Sequence, residues 1–355
     1  TGAGKDELFI YYLHHPTDDP DEVNYYYQRL ERFVWNPTTE VFDVAANDQG
    51  ILIQQFDTTK GHDVGSLVFG PDDFLYVSFG DEGTAAEDSD THSQTINDRP
   101  RSGVWRIDVD QIGGAVSHAI RRQPQKAEAW HDSYTQGYYV PSDNPWVNPD
   151  GSVLEEFYAI GLREPHRMSC DSVTGDFWIG DVGATVAEEI NLMDGPGLNF
   201  QWNYKEGTGD GFRDAPSPLI GEEREPLFEY FHDVGNCIIG GFVYRGSDLP
   251  DLQGKYLYGD NGNQQVRALS VDGVTGEVTG VEDLGVARAG GIWVGLGSFG
   301  VDAQGEPFVL HMGGGVAGGG LIARMKPAGT TSELTWEYPE LLSETGLFAD
   351  LPSLE

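Results

Sequence analysis

The chain reads as all-β: a β-propeller of six radial blades, each a four-stranded antiparallel sheet. Three observations carry that reading. Residues 66–81 (SLVFGPDDFLYVSFGD), 166–183 (HRMSCDSVTGDFWIGDVG) and 297–314 (GSFGVDAQGEPFVLHMGG) repeat one design. In each, a short apolar run meets an Asp/Gly turn, and a second aromatic and β-branched run follows and ends on Gly or Gly-Asp, which is a hairpin. Repeated hairpins that each bury an edge against the next copy build radial sheets. The composition agrees, because 48 glycines and 12% aromatics suit short strands joined by tight turns better than helices. The length of 355 residues is long for an ordinary domain but fits one propeller.

The elements follow in order. Residues 9–15 (FIYYLHH) and 25–35 (YYYQRLERFVW) read as a first hairpin around an acidic, Pro-containing loop. Residues 50–56 and 66–81 supply the next strands, and the alternating run 103–110 (GVWRIDVD) closes that blade. Residues 111–150 are polar and punctuated by Pro and Asn, so they read as an inserted loop. Blade strands resume at 157–181, 237–246, 255–271 and 298–325, while 186–193 (VAEEINLM) reads as a short helix. The strands amount to between five and six blades, and the deficit falls before Phe9, so the first blade reads as incomplete at its N-terminus. The propeller spans residues 1–326, and 327–355 read as a tail or linker to a further domain.

Charge bounds the partners. With 58 Asp+Glu against 21 Lys+Arg the net charge is −37, which repels phosphate backbones and anionic lipid. The acidic runs around Asp18 and Glu87 lack calcium-loop spacing and read as solvated loops. No apolar run approaches the roughly 18 residues of a membrane span. Two cysteines, Cys170 and Cys237, are too few for a zinc site or a disulfide scaffold, leaving one bridge or two free thiols. The polar start, TGAGKDEL, carries no signal peptide, and the chain reads as processed.

The segment GHDVGSLVFGPDDFLYVSFGDEG resembles a signature of the soluble glucose and sorbosone dehydrogenases, six-bladed propellers that use pyrroloquinoline quinone (PQQ). Further blocks match in order: GVWRIDVD, VPSDNPWV, AIGLREPHRM, GDFWIGDVGATVAEEINL, GLNFQWNYKEG, GGFVYRGSDLPDLQGKYLYGD and GSFGVDAQGEPFVL, covering roughly residues 9–325. The propeller of hedgehog-interacting proteins shares the pattern, so shape alone does not fix function.

The resemblance implies a site. His62 stands where the family has its catalytic base, a role suited to a group that titrates near neutrality. Arg163 matches the arginine that lies against the quinone carbonyls and steadies charge arriving on the cofactor. Gly183 and Ala184 match positions whose backbone carbonyls bind the calcium that polarises the quinone. His166 is a neighbour of the same loop. Glu164 departs from the pattern, replacing an asparagine on the cofactor side, and no aligned lysine or arginine pair meets the cofactor's carboxylates. Arg267 and Arg288 are the nearest substitutes. The resemblance thus implies a periplasmic or secreted dehydrogenase that oxidises an aldose or related alcohol and passes electrons to an external acceptor such as a cytochrome. The alternative is a non-catalytic propeller that binds a carbohydrate or protein partner. A calcium-dependent lactonase is a third reading, for which the sequence offers no ligand set.

Overall fold

The structure is a computed structural model that describes residues 7–16, 26–39, 41–44, 50–57, 59–83, 91–126, 133–286, 295–312 and 320–327. Five radial sheets, here blades 1 to 5, lie among them. Blade 1 orders Glu7–His14, Tyr26–Asn36, Ile51–Asp57 and Tyr134–Thr135, with Val41–Val44 beside the second strand. Blade 2 orders Val64–Phe69, Leu75–Phe79, Gly103–Ile107 and Phe157–Ile160, and continues into the two-residue strands Leu198–Asn199 and Glu222–Glu223. Blade 3 orders Pro165–Cys170, Phe177–Asp181, Ala187–Met193 and Phe228–Phe231. Blade 4 orders Ile238–Val243, Tyr256–Asp260, Gln265–Val271 and Val278–Val286. Blade 5 orders Leu296–Val301, Pro307–His311 and Leu321–Arg324. The first strand of each blade packs on the first strand of the next, so these five inner strands run side by side from blade 1 to blade 5.

One turn chemistry writes three of the hairpins. The carboxylate of Asp171 accepts the Val173 N–H, that of Asp272 accepts those of Val274 and Thr275, and that of Asp302 accepts those of Gln304 and Glu306. Each turn leaves through a glycine at positive φ: Gly175 at 83°, Gly276 at 72° and Gly305 at 80°. A side chain that mimics the backbone at the turn, followed by a residue with no Cβ to clash, fixes the register of both strands.

Aromatic rings fill the blade interfaces. Trp105 is fully buried and meets Phe79 and Phe157 at centroid distances of 5.3 and 5.6 Å. Tyr76 meets Phe177 at 4.2 Å between blades 2 and 3, Trp178 stacks on Tyr256 at 4.6 Å between blades 3 and 4, and Phe242 meets Phe299 at 6.5 Å between blades 4 and 5. Such pairs add roughly 0.5–1.5 kcal/mol each beyond the area they bury. Aromatics accordingly recur in the second strand of each repeat, at Tyr76 and Phe79, Phe177 and Trp178, and Phe308.

Three sequence expectations change. The run 186–193 is not a helix: Ala187–Met193 is a strand paired on both sides, by Phe177–Asp181 and Phe228–Phe231. Its residues are buried on both faces, so they lack the alternation that marks a half-exposed strand. Phe157–Ile160 closes blade 2 rather than opening the next blade. Blade 1 has four strands in line, the fourth arriving from the 111–150 insertion. Both cysteines are free, with Cys170 at the end of the blade 3 inner strand and Cys237 just before the start of the blade 4 inner strand. From residue 328 onward, the tail lies outside the described residues.

Candidate functional site

His62, Arg163, Glu164 and Cys237 each precede an inner strand, the starts of which are Val64, Pro165 and Ile238. Inner strands that run side by side gather their starts on one end of the axis, so residues far apart in sequence meet there.

A Gly-Asp step at the end of each second strand secures these positions. Asp181 accepts the backbone N–H groups of Arg163 and Glu164, at 2.9 and 2.6 Å. Asp260 accepts the Cys237 N–H at 3.0 Å and the Tyr230 hydroxyl at 2.9 Å. Asp81 takes the His62 side chain instead, with Nδ1 and Oδ1 2.7 Å apart. The second oxygen of Asp81 accepts the Trp202 indole N–H at 3.0 Å, and its first also accepts the Gly83 N–H at 3.1 Å. Asp81 is 4% exposed. A buried carboxylate so placed assigns the proton of a neutral imidazole to Nδ1 and leaves the Nε2 lone pair facing outward. Nε2 lies 3.4 Å from Glu164 Oε2. His62 adopts a left-handed φ of 58°, a strained conformation for a non-glycine residue. Gly80 makes that possible: a Cβ there would stand 1.9 Å from the His62 carbonyl oxygen.

Arg163 comes from the next blade. Its carbonyl accepts the Asp81 N–H at 2.8 Å, tying the two loops together. Its Nη1 donates to the carbonyls of Val182 and Gly183 at 2.9 and 2.7 Å, and its guanidinium lies 5.6 Å over the Trp202 ring. Glu164 Oε2 is 4.0 Å from Nη1. Burial raises the Glu164 carboxyl, opposed by His62 and Arg163. Beside His62, Asp63 has both carboxylate oxygens buried with no donor among the described residues, and burial with Asp57 and Glu82 nearby pushes it up to about 10. Asp63 therefore holds its proton at neutral pH and adds no charge. Burial pushes the Cys237 thiol up to about 12, with Glu188 and Glu164 adding to the effect, so it is no nucleophile at neutral pH.

The remaining expected residues sit differently. The Gly183 carbonyl is already taken by the Arg163 cation, and Ala184 presents its N–H, which donates to Glu206 at 2.8 Å together with those of Thr185 and Val186 at 2.7 Å each. This loop faces the Val182 and Gly183 carbonyls toward the Arg163 cation and its next three N–H groups toward a carboxylate. Among the described residues, no group of three or more His, Cys, Asp or Glu is placed to hold a metal ion. Arg267 lies on the third strand of blade 4, against the Tyr230 ring and hydrogen-bonded to Gln265, away from the inner-strand starts. Arg288 lies outside the described residues. His166 is pushed down to about 4 by burial and by Arg167, so it is neutral.

Asp81 and Trp202 are the members that the sequence reading missed. The Asp81 signal was present as the terminal Gly-Asp of the repeat, shared with Asp181 and Asp260. Trp202 carries no such mark, since it reaches Asp81 from 121 residues away.

Residues 135–290 match the model of the family described as Glucose / Sorbosone dehydrogenase. HIPL1 protein of Arabidopsis thaliana is 32% identical over 213 residues, 56% of this chain and 28% of that protein. Hedgehog-interacting protein of Homo sapiens is 27% identical over 215 residues, 60% of this chain and 25% of that protein. The matched stretch thus spans under a third of each of these relatives. The PQQ-bound aldose sugar dehydrogenase of Streptomyces coelicolor superposes with a TM-score of 0.54 at 15% identity, covering 86% of this chain and 77% of that one. The resemblance to glucose and sorbosone dehydrogenases stands on the family match, and the structural likeness establishes the propeller fold.

Proposed function

We propose that the chain oxidises an aldose or related alcohol with PQQ as electron acceptor, with His62 as the base. One observation carries the reading: the 2.7 Å contact of His62 Nδ1 with buried Asp81, which leaves Nε2 on the side of Glu164, whose Oε2 lies 3.4 Å from Nε2 and 4.0 Å from Arg163 Nη1. A base held in one tautomer, with a buried carboxylate to steady its protonated form, is an arrangement for removing a hydroxyl proton.

The residues fit the quinone end of the cofactor. Only Nη1 of Arg163 engages the loop carbonyls, so its other N–H groups remain to hold a quinone oxygen. Bound there, the quinone would supply the two-electron acceptor that the protein lacks. His62 Nε2 takes the substrate hydroxyl proton, and Asp81 stabilises the resulting imidazolium. Trp202 fixes Asp81 from below and offers its face to Arg163, which keeps the guanidinium oriented. The Gly183 oxygen accepts from the Arg163 guanidinium, so a calcium ion held there would share that oxygen with Nη1. No step is assigned to calcium.

Dye reduction by protein mixed with PQQ over an aldose panel tests the proposal. Turnover should fall at least a hundredfold in His62→Ala. Absence of both quinone binding and turnover would overturn it. A second reading, a propeller that binds a protein or carbohydrate partner without catalysis, is favoured by Glu164, which sets a carboxylate where a tricarboxylate cofactor would lie. Secretion or periplasmic location and an external electron acceptor belong to the first reading.

A further inference from the structure

The inner strands of blades 3, 4 and 5 enclose a cavity of about 350 Å³ at the end of the axis away from His62. It is lined by the later residues of those strands, including Arg167, Ser169, Phe242, Ser298, Phe299 and Gly300. Arg167 stands three residues along the strand from Glu164, roughly 10 Å away. Side chains alternate along a strand, so Met168 packs into the blade core while Arg167 and Ser169 turn the other way, toward the axis.

Arg167 is largely buried, yet no carboxylate among the described residues pairs with it. Its Nε donates to Ser298 Oγ at 2.9 Å across the axis, and its Nη1 donates to the His166 carbonyl at 2.8 Å. Both acceptors are neutral, and Nη2 has no hydrogen-bond partner among the described residues. His166 beside it is neutral too, pushed down to about 4. Arg245, also at the cavity, is neutralised by Asp171 through hydrogen bonds of 2.9 and 2.5 Å. The cavity therefore holds one uncompensated positive charge. Nearby, Ser169 Oγ is buried without a partner. Burying a cation without a counter-charge is costly unless an anion completes it. Phe242 and Phe299 give the cavity an apolar wall, and its volume is at the small end of ligand sites.

We propose that this cavity is a second binding site, for a small carboxylate with an apolar body, its carboxylate on Arg167 Nη2 and its body against Phe242 and Phe299. The site is independent of the His62 chemistry. Titration calorimetry with benzoate tests it, with benzamide as the neutral isostere and acetate as the carboxylate without a body. Benzoate should bind at least tenfold more tightly than either. Arg167→Gln should weaken benzoate at least tenfold, and His62→Ala should leave it unchanged.

Gly300→Val guards against a fold defect at Arg167. A Cβ at Gly300 meets only Leu310 Cδ1, at 3.5 Å, so a larger side chain fills the cavity without touching the guanidinium. This variant should also lose benzoate while keeping its unfolding midpoint. No benzoate binding by the unmodified protein, or binding undiminished in Arg167→Gln or in Gly300→Val, overturns the proposal.

Discussion

Glu206→Ala measures what holds the loop that positions Arg163. Glu206 is 3% exposed, and its Oε1 accepts the N–H groups of Ala184, Thr185 and Val186 at 2.8, 2.7 and 2.7 Å. A hydrogen bond to a charged group is worth about 1.5–3 kcal/mol, and a donor left buried and unmade costs about 1–3 kcal/mol. Thr185 and Val186 are exposed, so water replaces the carboxylate for two of the three donors. The expected loss is therefore about 2–4 kcal/mol rather than the sum of three full penalties. Glu206→Gln keeps the oxygen and should lose about 1 kcal/mol. Urea unfolding at constant slope reads both values. Equal losses for Ala and Gln, or an Ala loss under about 0.5 kcal/mol, would refute the view that one carboxylate organises the loop. The same loop gives Arg163 its carbonyl partners, so Glu206→Ala should also lower any quinone affinity.

Asp81→Asn should reduce kcat/KM by about 10²–10³, below the loss in a fully buried triad because His62 is 18% exposed, with KM nearly constant in steady-state assays. Gly80→Ala drives a Cβ to 1.9 Å from the His62 carbonyl, so it should cost about 3 kcal/mol or more in unfolding experiments and abolish any His62-dependent activity. Burial pushes the Glu156 carboxyl up to about 7, against an unfolded value near 4.5. Its contribution is full below pH ~4.5 and is lost as pH rises through 7, by at most about 3 kcal/mol. Glu156→Gln, which keeps an acceptor for the Tyr138 hydroxyl, should flatten unfolding free energy across that window, and parallel curves for the two proteins would reject the assignment.

Blade architecture was legible because its determinants are local. The Asp turn at 171–175, the Gly exit and the aromatic partner each lie within a few residues, and the repeat made them visible twice, at 171–175 and 302–305. The strand Ala187–Met193 was misread because burial on both faces erases period-two alternation, and the Glu-Glu pair inside it suggested helix. Both glutamates are in fact buried acceptors: Glu188 takes the Ile238 N–H at 2.8 Å and pairs with His232 at 2.9 Å, and Glu189 takes the Gly207 N–H at 2.7 Å. Those partners are distant in sequence. The candidate site divides in the same way: motifs singled out His62 and Arg163, while Trp202 came only from folding. Arg267 lies apart from them because its place on a third strand carries it outward from the axis.

The pocket is less hostile to an anionic cofactor than the formal charge of −37 implies, since that charge counts every acid as ionised. Around Arg163 and His62 several acids keep their protons: burial, with Asp57 and Glu82 nearby, pushes Asp63 up to about 10; burial sends Glu188 up to about 8; and burial raises Glu189 to about 7. Because all three are raised, they are mostly neutral at pH 6 and ionise one after another as the pH climbs. Each ionisation adds negative charge beside the groups that would hold the tricarboxylate. PQQ affinity, followed by fluorescence titration at fixed ionic strength, should therefore fall between pH 6 and pH 9. Glu188→Gln should remove part of that fall by deleting one of the late charges. An affinity that is constant or rises over this range would mean that these carboxyls are already ionised at pH 6, and the electrostatic case for cofactor binding at Arg163 would go with it.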